Sequence, residues 1–94
     1  MEEVKMRDIK TIRKEIDNID KEIAKLFEMR MNLVKDVIEY KISNNLPILD
    51  SSRENEVINK NIDFVDDEYK KYYQEFIKNM LNISKEFQKD YSKK

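Results

Sequence analysis

An all-α fold of three helices, the first of them long, is what this sequence predicts, and three observations predict it. Apolar residues recur at three- and four-residue spacing along most of the chain. There is no Gly and a single Pro, so the tight hairpins of a sheet lack their turn residues. Charged residues make up 41% of the composition, and their signs are interspersed along every segment, as on solvated helix faces. At 94 residues the chain is expected to form one domain, residues 1–94, with a modest core.

The first helix is expected from about Val4 to Ser43. Ile9, Ile12, Ile16, Ile19, Ile23, Leu26, Leu33 and Val37 form its seam, and Asn44-Asn45 ahead of Leu46-Pro47 supplies a stop. About 40 residues at 1.5 Å each reach roughly 60 Å, whereas a compact chain of this size has a radius of gyration near 12 Å. Much of that seam has no cover within its own chain, so burial against a second copy is expected, as an intertwined homodimer. The alternative is a break near the middle giving a hairpin, for which neither Gly nor Pro nor a capping signal is present.

The second helix opens at Asp50-Ser51-Ser52-Arg53-Glu54, with Ser51 and Glu54 at capping-box spacing, and Val57, Ile58 and Ile62 give it an apolar face. An acidic loop follows, and Asp66-Asp67-Glu68 places negative charge at the start of the third helix, where the dipole favours it. That helix is expected from about Asp67 to Asp90, with Tyr69, Tyr72, Tyr73, Phe76, Ile77, Met80, Leu81, Ile83 and Phe87 as its apolar band. Lys89 to Lys94 is expected to fray.

Polar residues interrupt these apolar faces. Arg30 fills the missing step of the first seam, and Lys41, eleven residues on, returns to within about 20° of the same face. A stripe holding two cations among Ile and Leu calls for an anionic partner, either a side chain or a ligand. On the third helix Ser84 and Gln88 lie within about 20° of the line through Ile77. Each has a plain structural explanation: Arg30 pairing with a buried carboxylate, Lys41 snorkelling, Ser84 bonding its own helix, Gln88 lying at a wet end. Together they describe a polar pocket that Arg53 and Glu54 could close. Arg13, seventeen residues before Arg30, lies roughly 26 Å from it along a straight helix. Antiparallel pairing of two long helices would bring it near Arg30 and Lys41 of another copy; the alternative on pattern alone is a solvated charge with Asp17 at i+4.

Absences narrow the chemistry. The chain has no His and no Cys, so the commonest general base, metal ligand and thiolate nucleophile are missing. Without Gly there is no phosphate-cradling loop or dinucleotide fingerprint. Nineteen Lys and Arg against twenty Asp and Glu leave a net charge of −1, which gives no basic field for nucleic acid. No apolar run reaches membrane-spanning length, and no secretory signal opens the chain, so a cytoplasmic location is expected.

The run Ile12-Arg13-Lys14-Glu15-Ile16 with Ile19-Asp20, then Arg30, Lys41, Pro47-Ile48-Leu49-Asp50-Ser51-Ser52-Arg53-Glu54, and finally Ser84 and Gln88, resembles the all-helical class of chorismate mutases. The likeness covers nearly the whole chain, and its specificity lies in the ordered spacings. It departs at Asp63 to Asp67, which looks short, and in a surface rich in Lys, Asn and Ile. The resemblance implies two equivalent sites in an intertwined dimer. Arg30 and the Arg13 of the other copy would bind the carboxylates of chorismate, while Lys41 and Gln88 would face its ether oxygen. Glu54 and the backbone near Asp50 would hold the ring hydroxyl, and Arg53 and Ser84 would complete the lining. It also implies conversion to prephenate, a pericyclic rearrangement needing no cofactor and no metal. Isochorismate pyruvate-lyase, on the same fold, and a noncatalytic helical dimer are the competing expectations.

Overall fold

The computed structural model describes residues 6–93. The chain is all-α: α1 spans Ile9–Ser43, α2 Ser51–Asn61 and α3 Asp67–Ser92, with one 3-10 turn, Ile62–Phe64, between α2 and α3. No strand occurs among the described residues.

As the lack of breakers predicts, α1 is continuous over 35 residues, which removes the hairpin alternative. It begins later than the apolar spacing suggests. Met6–Asp8 are not helical, and the first turn closes when the Ile12 amide donates to the Asp8 carbonyl at 3.1 Å; Val4 and Lys5 lie outside the described residues. Its far end follows the sequence closely. Leu46 N donates to Lys41 O at 2.8 Å and Asn45 N to Ile42 O at 3.3 Å, the paired bonds of a Schellman cap. The cap requires a left-handed residue, and Asn45, at φ 54°, fills the place usually held by Gly because its short polar side chain tolerates that region. Asn44 Nδ2 adds a bond to the Tyr40 carbonyl at 2.8 Å.

The start of α2 differs from the expected capping box. Asp50, not Ser51, is the N-cap, its Oδ1 accepting from the amides of Ser52 at 3.1 Å and Arg53 at 3.2 Å. A carboxylate one residue earlier reaches the second and third helical amides directly, so Glu54 is not drawn back to the cap. After α2, Lys70 bridges Asp63 at 3.6 Å and Asp67 at 3.0 Å, tying the 3-10 turn to the first turn of α3. The third helix continues to Ser92, past the expected fraying point. Tyr91 explains this: it stacks on Phe87 with ring centroids 5.8 Å apart and donates its hydroxyl to Glu39 Oε1 at 2.7 Å.

Two compact units divide between Asn32 and Leu33. In the first, α1 runs from Ile9 and its seam is open: Ile16, Ile19, Ile23 and Leu26 are 48%, 58%, 47% and 61% exposed. Its ion pairs, Arg7 with Glu15 and Lys25 with Glu22 at 3.3 Å, lie on the surface. The second unit has an interior, in which Val57 of α2 meets Ile77 and Leu81 of α3, with Ile58, Tyr73 and Met80 packed around them. Ile38 is fully buried. Of the apolar band expected on α3, Tyr69, Tyr72, Phe76 and Ile83 stay exposed in the single chain.

Candidate active site

Lys41 sits in the last turn of α1 and is half-buried. Its ammonium donates to the Ile48 carbonyl at 2.7 Å, while its own carbonyl accepts the Schellman bond from Leu46. One residue thus holds the α1–α2 connector at two points. The acceptor is neutral, so the ammonium keeps its charge uncompensated at that contact, and two of its three N–H bonds point elsewhere.

Asp50 closes the same connector. The Ser52 hydroxyl, donating to Oδ1 at 2.6 Å, and then the Arg53 amide hold the Asp50 carboxyl below its ordinary value of 3.8, with the Ser52 amide and the charge of Lys41 assisting. Arg53 departs from the inward placement that the sequence suggests. It is exposed, and its Nη1 donates to Glu56 Oε1 at 2.9 Å along the surface of α2.

Glu54 is half-buried and pairs with Lys85 of α3, Nζ to Oε1 2.8 Å. One residue before Lys85, Ser84 is buried, and its Oγ donates to the Met80 carbonyl at 3.1 Å. The inward aim read for Ser84 is correct, and so is the plain reading that it bonds its own helix. Gln88, one turn further, is half-buried. Lys41 and Asp50 are therefore brought together at the connector, and Glu54 with the Ser84 turn across α2 and α3. Lys85 escaped the sequence reading. Its signal was the four-residue step from Leu81, which places a cation beside a core residue.

Arg13 and Arg30 belong to the first unit. Arg13 is exposed, whereas Arg30 is half-buried and engaged with a partner. Among the described residues no group of His, Cys, Asp or Glu is placed to hold a metal ion, and no helix is long and apolar enough to cross a membrane.

The family model "Chorismate mutase type II" matches residues 12–89, a stretch containing all eight candidate positions. A bifunctional chorismate mutase/prephenate dehydratase of Aquifex aeolicus is 46% identical over 55 residues, covering 58% of this chain and 15% of that one. One from Buchnera aphidicola subsp. Schizaphis graminum is 45% identical over 53 residues, 56% of this chain and 14% of its own length. This chain thus spans only a small part of the curated relatives it matches. No solved structure matches it.

Proposed function

Because the chain belongs to the type II chorismate mutase family, we propose that it converts chorismate to prephenate, a cytoplasmic step toward phenylalanine and tyrosine. We propose further that it does so as an intertwined homodimer with two shared sites. One observation carries the chemistry: the half-buried Lys41 ammonium, fixed by a neutral carbonyl, is a preorganised cation with donors to spare.

In this rearrangement a ring C–O bond breaks as a C–C bond forms, in one cyclic movement of electrons with no proton lost or gained. The protein has two tasks. It folds a flexible dianion into its reactive shape, and it stabilises negative charge growing on the ether oxygen. Arg30 and the partner's Arg13 take the two carboxylates. Lys41 and Gln88 donate to the ether oxygen and bind it more strongly as its bond to the ring lengthens. Glu54 and the backbone at Asp50 hold the ring hydroxyl, Ser84 lines the pocket, and Arg53 joins it by exchanging Glu56 for substrate. The need for a second copy is supported by the open Ile and Leu seam of α1, which water would otherwise cover.

Purified protein given chorismate is expected to form prephenate, and Lys41→Ala to lose about 10²–10³ in kcat with the dimer intact, as for loss of one oxyanion donor. Arg13→Ala and Arg30→Ala should each be inactive. Mixed in equal amounts under subunit exchange, they should recover up to about a quarter of wild-type turnover, since half the dimers are mixed and each of those holds one intact site. No recovery despite proven exchange contradicts the shared site. Salicylate and pyruvate from isochorismate, with no prephenate from chorismate, would move the assignment to the lyase.

A further inference from the structure

Lys85 takes no part in the steps above, yet its ammonium lies 2.8 Å from Glu54 Oε1 and joins α3 to α2. We infer that Lys85 is a positioning residue for Glu54: it holds one carboxylate oxygen and offsets the charge, so that the other oxygen can accept a hydroxyl from an anionic substrate. This inference rests on the proposed mutase reading, because it supposes that a dianion approaches Glu54.

Shielding is the first support. The Glu54 and Lys85 side chains are 24% and 36% exposed, against 61% and 59% for Glu56 and Arg53 and 66% and 70% for Glu22 and Lys25. Charges shielded from water and salt act more strongly on their neighbours. Chemistry is the second. A site for a dicarboxylate that also contains a half-buried carboxylate works against itself unless that carboxylate is neutralised. An ammonium at 2.8 Å offsets that charge and leaves the second oxygen as an acceptor. Position is the third. Lys85 follows the buried Ser84 and stands one turn after Leu81, so the rigid α2–α3 core that seats Leu81 against Val57 also sets where this cation meets Glu54.

A merely structural bridge between α2 and α3 would give different kinetics. Lys85→Met, assayed well below its melting temperature, is expected to raise KM for chorismate about tenfold while kcat changes less than about twofold, because an uncompensated carboxylate repels the incoming dianion. Lys85→Arg, which keeps the charge, should restore most of the loss. Glu54→Gln placed in the Lys85→Met background should lower KM again by removing the repulsion, so the double variant binds better than the Lys85 single variant. A Lys85→Met enzyme with wild-type KM and only a lowered Tm overturns the inference, as does a double variant no better than the single. If Lys85→Met fails to fold, the comparison of Lys85→Arg with wild type decides: a KM raised as far as that of Glu54→Gln overturns the inference, and a KM near wild type sustains it. Wild-type protein that leaves chorismate unchanged sinks the mutase reading itself, whereas an active wild type beside an unshifted Lys85→Met sinks only the role of Lys85.

Discussion

Up to Asn32, Ile16, Ile19, Ile23 and Leu26 share one face of α1 and all remain exposed, whereas beyond Leu33 the side chains of Val57, Ile77 and Leu81 close over one another. The two sets are similar in chemistry and in helical spacing. What separates them is burial: α2 and α3 supply a facing element for each other, while the seam on the first stretch of α1 stays exposed. Periodicity shows which face of a helix needs cover and says nothing of who provides it.

The contrast can be broken most forcefully by charge on the open seam. Ile19→Asp with Ile23→Asp is expected to give monomers in sedimentation and at least a hundredfold loss of turnover, since a carboxylate buried between copies costs several kcal/mol. A double variant that stays dimeric and active would show that this face belongs to water. A matched pair of truncations sharpens the point. Leu81→Ala should cost about 2–5 kcal/mol by chemical denaturation, the usual range for a buried leucine. Leu26→Ala should cost under about 0.5 kcal/mol if its face is solvent. If a second copy covers Leu26, the cost approaches that of Leu81 and Tm rises with protein concentration.

The smallest effect concerns the connector. The Asp50 carboxyl is depressed in the folded chain, so the unfolded chain takes up protons first as pH falls. Its stabilising contribution is complete above about pH 4 and fades as pH drops through the folded value. Asp50→Ala should therefore show a modest deficit in Tm at neutral pH that shrinks to nothing in strong acid. A gap independent of pH would mean that the carboxylate is not what caps α2.

Most of the fold was legible because the cues were local. A run without Gly or Pro gave the continuous α1, and Asn44-Asn45 before Leu46-Pro47 gave its end. The errors arose where two local signals competed or where the deciding partner was distant. Ser51 and Glu54 had the spacing of a capping box, but Asp50 reached the amides first and Glu54 turned to Lys85, 31 positions away. The tail from Lys89 looked ready to fray, and a hydrogen bond from Tyr91 to Glu39, 52 positions apart, holds it helical. At the candidate site, the inward polar residues Ser84 and Lys41 could be read from helical phase. Arg53 was misjudged although its partner is local: Glu56 stands at i+3 on α2, the spacing at which opposite charges meet on a helix surface.

Lys41 anchors the connector through its carbonyl and through its ammonium. Surface connections between helices usually accept extra residues at little thermodynamic cost. Here an insertion between Leu46 and Ile48 would leave the cap of α1 intact while carrying away the carbonyl that aims the charge, so a tolerated change in length would become a misdirected electrostatic field. The segment from Asn44 to Asp50 is thus held to its length by the need to keep one ammonium pointed, a constraint of gauge rather than of sequence.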